Sequence, residues 1–150
     1  MRAAALATAL AALALPAAAQ APDVFGLWLT ESRNAAVDIQ PCGASVCGRI
    51  AWMTEPNDAA GRPKLDTENP DPAKRGQPLC GLTMIGGFRP GEGGAWQEGW
   101  IYNPEDGKTY TAVIQPKSAT ELALRGYIGL PLFGQSQTWT RLPPDAPRCG

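Results

Sequence analysis

Beyond residue 20 the chain shows no apolar face recurring at helical spacing over three turns, and that constrains its fold more than any other feature. Its regular stretches are short and rich in Thr, Val, Ile, Tyr and Trp, with Gly, Pro, Asn or Asp at their ends. They predict strands at about Val24 to Glu31, Ala36 to Cys42, Val46 to Thr54, Leu79 to Ile85, Ala95 to Asn103, Lys108 to Gln115, Glu121 to Ile128 and Ser136 to Leu142. The sharpest turn is Asn103-Pro104-Glu105-Asp106-Gly107, where Pro presets φ and Asp-Gly accepts the positive φ of a tight hairpin. Strands that follow one another without intervening helices leave two open edges unless the sheet closes. The expectation is an all-β fold, a small antiparallel up-and-down β-barrel of about eight strands with one long loop, enclosing packed side chains or one small ligand.

The long loop is the stretch from Glu55 to Pro78, which holds five Pro, two Gly and nine charged residues without apolar periodicity. A connection of that length in a compact domain is usually functional or unstructured. It gathers oxygen donors at Asp58, Asp66, Glu68, Asn69 and Asp71, a set that invites a calcium reading. The D-x-[DN]-x-[DN]-G pattern is missing, however, and Pro70 and Pro72 point to a rigid turn held by side-chain-to-backbone bonds, so no metal and no cofactor is expected.

The chain opens with Arg2, an apolar run and Pro16-Ala17-Ala18-Ala19, the pattern of a signal peptide over residues 1–19 with an A-x-A cleavage site. Cleavage there would leave residues 20–150 as one barrel domain in the periplasm or secreted. The whole chain carries a net charge of −1 without basic clusters, which argues against nucleic-acid binding. No later apolar run is long enough for a membrane-spanning helix. There is no His, which removes Ser-His-Asp and Cys-His catalysis. Glu98 and Glu105 are the remaining candidate acid pair, but one lies in a strand and the other in an exposed turn, so no catalytic residue is assigned.

Four Cys in an exported chain read as two disulfides. Of the three possible connectivities, Cys42 with Cys47 is favoured because Cys42-Gly43-Ala44-Ser45-Val46-Cys47 looks like a hairpin that brings the sulfurs together. Cys80 with Cys149 follows by elimination, and would pin a tail that otherwise hangs loose.

Gly26-Leu27-Trp28 on the first strand and Arg141 on the last resemble the lipocalin and calycin arrangement, in which a first-strand Trp closes the barrel base beneath a late Arg. The physical basis is a cation–π contact with hydrogen bonds to chain-end carbonyls, worth about 0.5–2 kcal/mol. A closer resemblance runs from about Gly26 to Arg141, to an exported bacterial family called domain of unknown function 2147. It rests on Cys47-Gly48-Arg49-Ile50, Asn69-Pro70-Asp71-Pro72, Ile101-Tyr102-Asn103-Pro104-Glu105-Asp106-Gly107-Lys108-Thr109-Tyr110 and Gln137-Thr138-Trp139-Thr140-Arg141. That resemblance implies export and leaves the chemistry open.

Strand alternation sorts Leu122, Leu124 and Ile128 onto one face of the seventh strand, and Arg125 and Tyr127 onto the other. Gln137, Trp139 and Arg141 share a face, as do Trp100 with Tyr102, and Tyr110 with Ala112 and Ile114. If the Tyr, Trp and Arg faces point inward, then Arg125, Tyr127, Tyr102, Tyr110, Gln137 and Trp139 line a pocket for a small hydrophobic or amphipathic ligand, with Trp28 and Arg141 structural. The alternative is a structural or interaction protein of the cell envelope, its barrel filled and its long loop docked on an envelope partner. An enzyme ranks third.

Overall fold

The computed structural model describes residues 22–149, so the expected signal peptide at 1–19 lies outside the described residues. Nine strands follow in chain order: β1 (Gly26–Leu29), β2 (Ala35–Cys42), β3 (Ser45–Met53), β4 (Thr83–Gly86), β5 (Arg89–Pro90), β6 (Trp96–Asn103), β7 (Lys108–Pro116), β8 (Glu121–Tyr127) and β9 (Gln135–Arg141). Each strand of the ring pairs antiparallel with the next, β1 meets β9, and β4 pairs with β6, which closes eight strands into an up-and-down barrel. The two-residue β5 lies beside β6 outside that ring.

Two bounds differ from the sequence reading. β1 is shorter than Val24 to Glu31, because the Val24 and Phe25 carbonyls accept from the Trp28 and Arg141 side chains while Thr30 is drawn into a turn by its bonds to Ala35 and Asn34. β4 begins at Thr83 rather than Leu79, since Leu79 to Leu82 form a turn, tied to β3 by Gly81 N–H donating to Ile50 O at 2.7 Å.

The barrel base is filled. Register pairs Trp28 with Arg141 and Val37, and Leu122 with Trp139, so these side chains share the inward face. With Val24, Ile39, Val46, Ile85, Phe88 and Ile114 they form a core closed to solvent. Arg141 seals it as expected, its guanidinium carbon 4.1 Å from the centre of the Trp28 ring. Its Nη1 donates to Phe25 O at 2.5 Å, its Nη2 to Asp23 O at 3.0 Å and its Nε to Ala119 O at 2.6 Å. Trp28 Nε1 donates to Val24 O at 2.9 Å, so both partners hold the segment that enters β1.

Both expected disulfides are present. Cys42–Cys47 spans the β2–β3 hairpin, and Cys80–Cys149 ties the root of the long loop to the tail. The tail crosses the outer surface of β1, β2 and β3, where Leu142 N–H donates to Leu27 O at 2.8 Å, Cys149 N–H donates to Ala51 O at 2.7 Å, and Arg148 pairs with Asp38 at 2.7 Å. That cover accounts for the burial of Leu27 and Leu29, which point away from the barrel core.

Candidate functional site

At the end opposite Trp28 the barrel is hollow. A cavity of about 1690 Å³ opens there. Its floor is apolar, made by Ile50, Met84, Ile101, Leu124 and Trp139. Its wall carries the neutral polar groups of Tyr110, Gln135 and Gln137, and its rim the charges of Arg33, Glu55, Asp58, Arg62, Lys64, Glu68 and Glu105. The rim comes from the β1–β2 turn, the long loop, the β6–β7 turn and the β8–β9 connection.

Gly126 adds to the hollow; it faces Ala112 across β7 and Gln135 across β9. A side chain there would meet only Ile101 at 3.5 Å and Tyr110 at 3.6 Å, ordinary contacts, so the space it would occupy stays part of the cavity. Below it, Leu124 and Leu122 fill the same inward row.

The six residues expected to bind ligand divide. Tyr110, Gln137 and Trp139 stand on the inward face and border the cavity. Tyr127 and Tyr102 belong to the outward rows of β8 and β6 and reach the cavity only at its rim. Arg125 does not border it, because the inward row of β8 is Leu122, Leu124 and Gly126, the reverse of the face expected to hold ligand. Its guanidinium instead donates from Nε to Pro131 O at 2.9 Å and from Nη1 to Ser136 Oγ at 3.0 Å. Gln137 Oε1 accepts from Trp139 Nε1 at 3.0 Å, which fixes the amide against the cavity wall.

Tyr102 has a different partner. Its hydroxyl donates to Asp66 Oδ1 at 2.6 Å, and Asn69 Nδ2 donates to Asp66 Oδ2 at 2.6 Å. Asp66 is fully buried, so this trio latches the long loop onto the outside of β6. Burial, with the Asp66 carboxylate beside it, pushes the Tyr102 hydroxyl up to about 12. Gly107 completes the fit with φ of +68°, since a Cβ there would run into the Glu68 carbonyl. The loop is therefore an ordered part of the wall, with bridges Asn57 to Pro63 and Leu65 to Pro78, and not unstructured.

Asp58 and Asp71 are engaged in the loop's own geometry, whereas Glu68 lies on the cavity rim. Asp58 accepts from the backbone N–H groups of Ala60 and Arg62 and pairs with the Arg62 guanidinium, and those bonds hold its carboxyl below the usual range, the Arg62 backbone bond first. Asp71 Oδ1 accepts from Ala73 N–H at 3.0 Å, which starts a single 3-10 turn at Pro72–Lys74. On the β6–β7 hairpin Tyr110 donates to Asp106 Oδ2 at 2.7 Å; that bond raises the Tyr110 hydroxyl and lowers the Asp106 carboxyl. Glu98 sits at a bulge in β6 with φ of +57° and pairs with Arg89, whereas Glu105 is on the rim. Roughly 15 Å of strand separates Glu98 from the Glu105 turn, beyond the span of a glycosidase pair.

Sequence reasoning missed the floor residues Ile50, Met84 and Ile101, whose signal was only the inward phase of their strands. It also missed Gly126, where a break in an otherwise apolar row marked the hollow.

Residues 26–141 match the model of a family described as uncharacterized protein conserved in bacteria, DUF2147. Among solved structures, the chain is similar to protein HP1028 from Helicobacter pylori, which belongs to the lipocalin family. The TM-score is 0.72 at 21% identity, over 81% of this chain and 84% of that one. No curated protein sequence matches the chain.

Proposed function

The chain belongs to the bacterial DUF2147 family, and we propose that it is an exported lipocalin-like barrel, periplasmic or secreted, that binds one small hydrophobic or amphipathic molecule. The carrying observation is the cavity at the barrel mouth, with an apolar floor and neutral polar wall below a charged rim. Such a gradient suits a molecule whose apolar part lies over Trp139 and Leu124 and whose polar head stays at the rim. Tyr110 and Gln137 supply hydrogen bonds along the wall, while Tyr102 and Tyr127 border the opening. Export is supported by the two disulfides, which persist in oxidising compartments, and by the apolar segment at residues 1–19.

The test is titration of the detergent-free protein with a fluorescent long-chain fatty acid, beside native mass spectrometry of protein purified from a bacterial periplasm. Saturable one-to-one binding and a co-purifying small mass are expected, with both weakened in Gly126→Leu. Absence of any bound mass, together with probe binding that Gly126→Leu leaves unchanged, would overturn the reading.

A further inference from the structure

The connection from β8 to β9 carries six consecutive exposed residues, Ile128 to Phe133, of sequence Ile-Gly-Leu-Pro-Leu-Phe. Ile128 is 65% exposed, Leu130 63%, Leu132 80% and Phe133 75%, whereas the other exposed large apolar side chains among the described residues, Leu65 and Trp100, reach only 41% and 36%. Single exposed apolar residues are ordinary, but a run of them at one tip marks an interaction surface.

Three observations identify the partner. First, no charged side chain occurs between Arg125 and Arg141, so the tip is uncharged along its whole length. Second, three of its carbonyls, those of Leu130, Pro131 and Leu132, are satisfied by the protein itself. Phe133 N–H donates to Leu130 O at 3.1 Å and Gly134 N–H to Pro131 O at 3.2 Å, and Pro131 has no N–H to satisfy. From behind, Arg125 Nη2 donates to Pro131 O at 2.6 Å and to Leu132 O at 3.4 Å. Each carbonyl so satisfied enters the bilayer interface at less cost. Third, Ile128 and Phe133 also line the cavity, with Leu65 of the long loop on the same rim, so one apolar track runs from the tip into the barrel.

We propose that the β8–β9 tip inserts into the surface of a lipid bilayer and sets the barrel mouth against it, so that an amphipathic molecule of the membrane passes into the cavity without crossing water. The passage rests on the small-ligand reading above; the docking does not. An uncharged tip needs no anionic lipid, so neutral phosphatidylcholine is sufficient.

Flotation of the disulfide-bonded protein with phosphatidylcholine vesicles tests it. The wild type should float with the vesicles, and Leu130→Ser combined with Leu132→Ser, two tip residues that do not line the cavity, should lower the partition at least tenfold with an unchanged thermal melt. Leu132→Trp should gain a blue-shifted emission that brominated lipid quenches. The double variant should still bind the fluorescent fatty acid in vesicle-free solution. A wild type that stays with the aqueous fraction, or a double variant that floats equally well, overturns the docking and leaves the cavity reading intact. Tip-dependent flotation by a protein that never binds the fatty acid supports the docking and removes the cavity reading. Loss of probe binding in the double variant would assign the tip to the cavity, and a vesicle-free dimer dissolved by the same substitutions would assign it to a second copy; either result overturns the proposal.

Discussion

The two ends of this barrel are made from the same eight strands and do opposite things. At the base, the inward row runs through Trp28, Val37, Ile39, Ile114 and Leu122, with Phe88 filling the space between, and no room remains. At the mouth, the same rows continue as Gly126, Gln135, Gln137 and Tyr110, and the space stays open. The sheet's hydrogen bonding hardly distinguishes the two ends, so the difference lies in side-chain volume and polarity. Stability is concentrated where the large apolar groups meet, and the freedom to accept a ligand where they stop.

The largest expected effect is at the base. Trp28→Ala removes a fully buried ring and should cost about 3–5 kcal/mol in denaturant unfolding. A loss below about 1 kcal/mol would mean that the base is not the stable end.

Next comes Arg141→Leu, which deletes the cation over the ring and leaves three carbonyls without their donor, a loss of about 1–3 kcal/mol. In a double-mutant cycle with Trp28→Ala the two losses should fall short of additivity, because they remove one shared contact. Plain addition would break the picture of a single sealed base.

At the mouth, Tyr102→Phe should cost about 1–3 kcal/mol by leaving the buried Asp66 short of a donor. It should also change the alkaline limb of stability. The Tyr102 hydroxyl is raised in the folded protein from an ordinary value of 10.0 to about 12, so the native state holds a proton that the unfolded chain releases. This contribution is complete below pH 10 and disappears as pH rises through about 12, a slope that pH-dependent melts should show in the wild type and lose in Tyr102→Phe.

The smallest stability effect sharpens the comparison most. Gly126→Leu should leave the melting temperature within a few degrees of wild type, since the new side chain enters open space, yet weaken fatty-acid binding. Equal loss of both properties would show that the mouth is as tightly packed as the base.

Strand order and closure were legible because a period of two, punctuated by Gly and Pro turns, leaves few alternatives to a closed antiparallel sheet. The Trp28–Arg141 seal was legible too, since its two residue types carry a specific pair interaction. Which face points inward was not. Alternation separates Arg125 from Leu124 without saying which side meets the core, and the aromatic and cationic rows attracted the wrong choice on β6 and β8. Those rows face outward because other segments cover them there: the long loop brings Asp66 to Tyr102 from 36 residues away, and the β8–β9 tip brings its carbonyls to Arg125. The order of the long loop was hidden for the same reason. Nothing local in a Pro-rich charged stretch announces a buried aspartate whose partner lies on a distant strand.

The seam at which β1 meets β9 also governs when this protein can fold at all. Trp28 emerges early in synthesis and its partner Arg141 more than a hundred residues later, so no closed intermediate can exist until β9 has left the ribosome. A nascent chain that stops before Gln135 is therefore not a smaller barrel. It is a curled sheet with β1 and β8 as bare edges and an indole ring facing water, a species prone to pair with its neighbours.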